Sequence, residues 1–120
     1  MRDFKTLKVW EKAHQLTLDI YTLTATFPNE ERYGLISQVR RSMASVPTNI
    51  AEGYGRSGQI ERGHFMNIAL GSTCEVEYQL LLSKDLGYVN ESDYCKLNSN
   101  LGEVRKMLTS LYNKIKHANN

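Results

Sequence analysis

Cysteine is nearly absent. Cys74 and Cys95 are the only two, and they lie too far apart for a disulfide framework or a zinc site, both of which need clustered pairs. Free thiols fit a reducing compartment. Proline is equally scarce, with Pro28 and Pro47 alone, and long stretches contain no turn-forming residue. That spacing argues for a few long helices over many short strands. No apolar run approaches the ~18–20 residues needed to cross a bilayer, and the opening Met1-Arg2-Asp3-Phe4-Lys5 is too polar for a secretory signal. A cytoplasmic location and no membrane partner are therefore expected, and Asn90-Glu91-Ser92 reads as a helix cap, not as a glycosylation acceptor. A strong charge of one sign is also missing: 15 Lys and Arg oppose 13 Asp and Glu, for a net +2.

What is present suits one folded domain. A chain of 120 residues with 41% hydrophobic and 23% charged residues is the size of a single domain and far from the composition of disorder. Val9, Ala13, Leu16, Ile20, Leu23 and Phe27 recur at spacings of four and three, which predicts a first helix over 6–26 that Pro28-Asn29 stops. Ile36, Val39, Met43, Val46 and Ile50 predict a second helix over 34–53. Pro47 lies inside it, so a kink is expected there, or a restart with Ser45 as cap, and Gly53-Tyr54-Gly55 should end it.

A third helix is predicted over 59–86. Its apolar residues, among them Phe65, Met66, Ile68, Ala69, Val76, Leu80 and Leu81, spread beyond one stripe, as in a helix that is central or covered by another subunit. Gly87 should stop it, with Asn90 capping a fourth helix over 91–116, where Tyr94, Leu97, Leu101, Val104, Leu108, Leu111 and Ile115 step by three and four. Four such helices joined by short turns predict an all-α fold, an antiparallel up-and-down four-helix bundle occupying the whole chain, 1–120.

Candidate chemistry is thin. Gly53-Tyr54-Gly55-Arg56-Ser57-Gly58 fits G-x-G-x-x-G, but a helix precedes it and no βαβ unit surrounds it, so it reads as an interhelical loop in which Arg56 and exposed amides could meet a phosphate. Two Glu-x-x-His spacings, Glu11 to His14 and Glu61 to His64, match a di-iron motif of helical bundles, yet the stripes turn all four residues outward. Neither cysteine shares a helical face with a histidine, no serine lies in a nucleophile elbow, and Glu75 and Glu77 diverge on their helix. No catalytic residue, metal or cofactor is expected. Basic residues are more suggestive: Lys5, Lys8 and Lys12 on the first helix, Arg40 and Arg41 on the second, Arg56 and Arg62 around the glycine loop, and Arg105, Lys106, Lys114 and Lys116 on the fourth. A net +2 gives a monomer a weak field, whereas several copies would align modest patches into a basic ring.

Leu7-Lys8-Val9-Trp10-Glu11-Lys12-Ala13-His14, Phe27-Pro28, Tyr33-Gly34-Leu35, Gln38-Val39-Arg40-Arg41 and the block Ser45-Val46-Pro47-Thr48-Asn49-Ile50-Ala51-Glu52-Gly53-Tyr54-Gly55-Arg56 resemble the four-helix-bundle family of ribosomal RNA intervening-sequence proteins. Phe65, Ile68 to Ser72, Glu75, Glu77 and Lys84-Asp85-Leu86-Gly87-Tyr88 continue the likeness, which covers about residues 4–115. The resemblance implies a bacterial protein, similar to the accessory proteins of diversity-generating retroelements, that assembles as a ring-like homopentamer and is not a ribosome constituent. It implies RNA or DNA as a partner, together with a protein such as a reverse transcriptase. Five copies would carry +10. Under this reading Arg40, Arg41, Arg56, Arg62, Lys8 and Lys12 are the candidate nucleic-acid-binding cations. Ala69, Gly71 and Ser72 are candidate oligomer-interface residues. Trp10, Tyr33, Glu52 and Tyr54 are architectural, with Glu52 paired to Arg40 or Arg41. The alternative is a protein–protein scaffold that binds no nucleic acid.

Overall fold

The computed structural model describes residues 3–118. A 3-10 turn, Phe4–Thr6, leads into α1 (Lys8–Thr24), a second turn, Asn29–Glu31, into α2 (Leu35–Gly55), and α3 (Gln59–Asp85) and α4 (Glu91–Lys116) follow. The helices form a closed ring in chain order: α1 packs on α2 and α4, α3 packs on α2 and α4, and among the described residues the backbones of the diagonal pairs stay more than 8 Å apart. The result is a rod of 48 × 23 × 21 Å, an antiparallel four-helix bundle. Among the described residues there is no strand, and no helix is long and apolar enough to cross a membrane.

The stripes read from the sequence meet along the axis. Leu16, Ile20, Val39, Met43, Val46, Ile50, Met66, Val76, Leu80, Leu101, Val104 and Leu108 are almost entirely removed from solvent. Each contributes about 1.5–3 kcal/mol relative to exposure. A smaller cluster of Phe27, Leu35 and Val89, packed with Leu82 and Tyr88, seals the end where α1 turns into α2 and α3 into α4.

Two helix termini follow their local chemistry. Gly87 takes φ +83°, which lets its N–H reach the Lys84 carbonyl and that of Tyr88 reach the Ser83 carbonyl, both at 2.9 Å. This is the paired-bond stop that glycine favours. Asn90 Oδ1 accepts from the Asp93 N–H at 2.7 Å and caps α4.

The second helix does not restart at Ser45. It is unbroken from Leu35 to Gly55, with Pro47 inside it. Proline removes the bond its nitrogen would make to Met43, at a cost of about 3 kcal/mol, but Val46, Pro47 and Ile50 are all buried, and their burial outweighs that local cost. Asn49 Nδ2 donates to the Ser45 carbonyl at 2.8 Å, and Ser72 of α3 donates to Ser45 Oγ at 2.9 Å. Ser45 is thus tied into the middle of the helix and does not cap a new one. The helix ends at Gly55, the last residue of the Gly53-Tyr54-Gly55 block expected to stop it. A Cβ at Gly53 would lie 2.9 Å from both Met66 Cε and Phe65 Cβ, so this glycine lets α3 approach α2 closely, and the helix continues past it.

Candidate nucleic-acid interface

Arg40 points inward. Its Nε donates to Thr24 Oγ1 at 2.7 Å, its Nη2 to the Tyr21 carbonyl at 3.0 Å, and its guanidinium lies 4.5 Å from the Tyr21 ring centroid. Arg40 thus reaches from α2 onto the last turn of α1, where the Tyr21 carbonyl also accepts from the Ala25 N–H at 3.2 Å. Gln59 does the same for α4, donating to the carbonyls of Ile115 at 2.7 Å and Lys116 at 3.0 Å. Arg105 is also committed, to Thr73 Oγ1 at 3.1 Å, to the Thr73 carbonyl at 3.2 Å and to Glu77 at 3.4 Å.

Of the other sequence-predicted cations, Lys8, Lys12, Arg56 and Arg62 share one half of the rod and Arg41 lies in the other. Arg56 pairs with Glu52 at 3.2 Å and faces Glu61 at 3.9 Å. Glu52 therefore has Arg56 as its partner, not Arg40 or Arg41; Arg40 is three turns away, about 18 Å along the helix. Lys12 bonds Glu103 of α4 at 2.9 Å. Arg62 is half-buried. Lys8 and Arg41 are exposed and carry no ion pair among the described residues, but they belong to opposite ends of the rod. Arg41 and Arg56 stand about 22 Å apart along α2.

The helical ring reveals a division of charge that the linear sequence hides. One end gathers the first half of α1, the second half of α2, the first half of α3 and the second half of α4, which are residues 3–16, 45–72 and 104–118. Nine Lys and Arg stand there (Lys5, Lys8, Lys12, Arg56, Arg62, Arg105, Lys106, Lys114 and Lys116) against four acids (Asp3, Glu11, Glu52 and Glu61), for a net +5 among the described residues. The other half, residues 17–44 and 73–103, holds five Lys and Arg against nine Asp and Glu, a net −4. Lys8, Lys106 and Lys114 are exposed at the basic half and have no carboxylate partner among the described residues.

The same end carries an open groove of about 810 Å³ between α1 and α2, lined by Phe4, Trp10, His14, Pro47, Thr48, Ala51, Glu52, Gly55 and Arg56, among others. Trp10 lies at the centre of an aromatic ladder, edge-on to Phe4 at 4.9 Å and stacked on His14 at 5.0 Å. Much of the Pro47 to Arg56 block, together with Trp10, thus frames one concavity. His14, Glu11, Glu61 and His64 are all exposed, and among the described residues no cluster of three or more His, Cys, Asp or Glu is placed to hold a metal. Cys74 and Cys95 are free and exposed, and the Glu91 carboxylate beside Cys95 raises its thiol pKa.

Two of the three predicted interface residues are used inside the chain. Ala69 is fully buried, and Ser72, 5% exposed, bonds Ser45. Only Gly71 is exposed, on an outward stripe of α3 where Ile60, Ile68, Tyr78 and Leu81 are exposed as well. Tyr33, read as architectural, is 88% exposed, with Arg32 against its ring at 5.4 Å. Sequence reasoning could have found Ile60 and Tyr78, since both fall outside the core spacing of α3. It could not have found the charge division without the order of helices around the ring.

These features define an antiparallel four-helix bundle with its charge divided along the axis and an open groove at its basic end. Over residues 5–110 the sequence matches the family model described as 23S rRNA-intervening sequence protein, and the chain belongs to that family. Its fold is similar to that of a protein of unknown function from the S23 ribosomal protein family of Bacteroides thetaiotaomicron VPI-5482, with a TM-score of 0.82 and 27% identity over 88% of this chain and 95% of that one. None of the functionally curated proteins matches the sequence.

Proposed function

We propose that this chain is a non-enzymatic adaptor that binds structured RNA or DNA at its basic end, as a homo-oligomer. The observation that carries the reading is the +5 excess in one half of the rod. A local excess of exposed lysine attracts a polyanion even where the whole chain is close to neutral. Of the cations expected from the sequence this reading keeps Lys8 and Arg56 and leaves out Arg40 and Arg41, and Lys106 and Lys114 join them, with Lys5 and Lys116 beside them. Phosphate contacts position a nucleic acid without reading its bases, so little discrimination between sequences is expected.

The test is fluorescence anisotropy of a labelled RNA hairpin and a labelled DNA duplex, titrated with the assembled protein across a salt series. Sub-micromolar binding whose logarithm falls linearly with log salt supports the reading. No binding at low salt overturns it. The outward stripe of α3, from Ile60 through Gly71 and Tyr78 to Leu81, favours a second reading: a scaffold that associates with protein alone. A specific protein partner that stays bound after nuclease treatment, from a chain that binds no RNA or DNA, would establish that scaffold.

A further inference from the structure

One arginine of the basic end is left without a counterpart. The Nε of Arg62 is shut off from solvent and has no hydrogen-bond partner, and no carboxylate pairs with its guanidinium among the described residues. The nearby acids are committed elsewhere, Glu52 and Glu61 both facing Arg56. Arg62 lines a second groove of about 290 Å³ with Tyr54, Leu111, Lys114, Ile115 and Ala118. Two cations therefore border one concavity that no acid lines among the described residues. A guanidinium keeps its proton at physiological pH, so a groove edged by Arg62 and Lys114 favours an anion.

We propose that the Arg62–Lys114 groove is a phosphate subsite, occupied by one phosphodiester of the bound nucleic acid. The inference rests on the nucleic-acid reading above and gives it a specific contact. A phosphodiester has two non-bridging oxygens. One suits the planar donor fork of Arg62 and the other the ammonium of Lys114. Drawing the guanidinium toward the groove satisfies donors that have no partner in the free protein. Leu111 and Ile115 supply an apolar wall against which the adjoining sugar can lie.

The arginine side-chain Nε–H resonances of the full chain, followed by ¹H–¹⁵N NMR, test this directly, with Arg62 assigned by the signal lost in Arg62→Lys. Inorganic phosphate and an RNA hairpin are titrated separately at low salt. Saturable shifts of the Arg62 resonance with both probes are expected, and Lys114→Gln should lower the slope of log affinity for the hairpin against log salt by about one. A shift with phosphate but not with RNA overturns the nucleic-acid occupant and leaves an anion groove. RNA binding without movement of Arg62 overturns the groove and leaves the nucleic-acid reading intact. No response to either probe overturns the subsite. Lys114 is exposed, so its substitution reads binding without disturbing the core.

Discussion

Arg40 Nε lies 2.7 Å from Thr24 Oγ1, a hydroxyl that is buried and donates its own proton to the Ile20 carbonyl at 2.8 Å. The guanidinium completes that network from the neighbouring helix and reaches the Tyr21 carbonyl as well. Arg40 therefore pins the C-terminal end of α1 to the first turns of α2. Arg40→Ala should destabilise the fold by about 1.5–3 kcal/mol, the range for hydrogen bonds to a charged group, while RNA affinity of the folded fraction stays within twofold. Urea denaturation and anisotropy on the same preparation check both parts; a large loss of affinity with no loss of stability would return Arg40 to the binding surface.

The charge division predicts an end-specific response. Lys106→Glu with Lys114→Glu should abolish measurable RNA binding at physiological salt, because both substitutions act on the basic half. Arg41→Glu with Lys96→Glu makes the same change of charge in the acidic half and should change affinity far less. Equal losses in the two double variants would show that overall charge, not its placement, governs binding.

Glycine substitutions separate close approach from local helix preference. Gly53→Ala should cost about 1–3 kcal/mol, since the new methyl meets Phe65 Cβ and Met66 Cε at 2.9 Å and overpacking forces the helices apart. Gly71→Ala meets nothing within 4 Å in an exposed helix interior and should stabilise the monomer by about 0.5–1 kcal/mol. Thermal melts of the two variants give opposite signs if α2 and α3 pack as described.

Tyr88 donates to Glu31 Oε2 at 2.9 Å, and that bond, with burial and the negative charge of Glu31, raises its phenol pKa above the ordinary value. The neutral phenol is the form the fold favours. Its contribution is fully present below the unfolded pKa, about 10, and is lost as pH rises through the higher folded value. Glu31→Gln should bring the Tyr88 titration back toward that ordinary value and weaken the alkaline loss of stability, as followed by the ¹³Cζ shift of Tyr88 and by melts at rising pH. An unchanged titration in the variant would mean that Glu31 is not the cause.

The number of helices, their stripes and several of their ends were legible because each depends on nearby residues. Val9 to Leu23 repeat with the helix period, Asn90 caps from three residues away, and Gly87 supplies a left-handed turn. Of the two alternatives at Pro47 the restart fails: proline is a poor helix residue in isolation, but burial in the core holds it inside α2. The outward positions of Glu11, His14, Glu61 and His64 followed from the stripes alone.

The basic site was less legible, because a cation in a sequence carries no sign of what faces it. Arg40 and Arg62 look like Lys8 and Lys114 until the fold turns the first two partly inward and leaves the others in water. By itself the sequence determined the all-α architecture, since hydrophobic period and capping act within a few residues. Only the tertiary structure decided which charges stand together, because the antiparallel ring brings the end of α4 beside the start of α1 and gathers at one end charges dispersed along the chain.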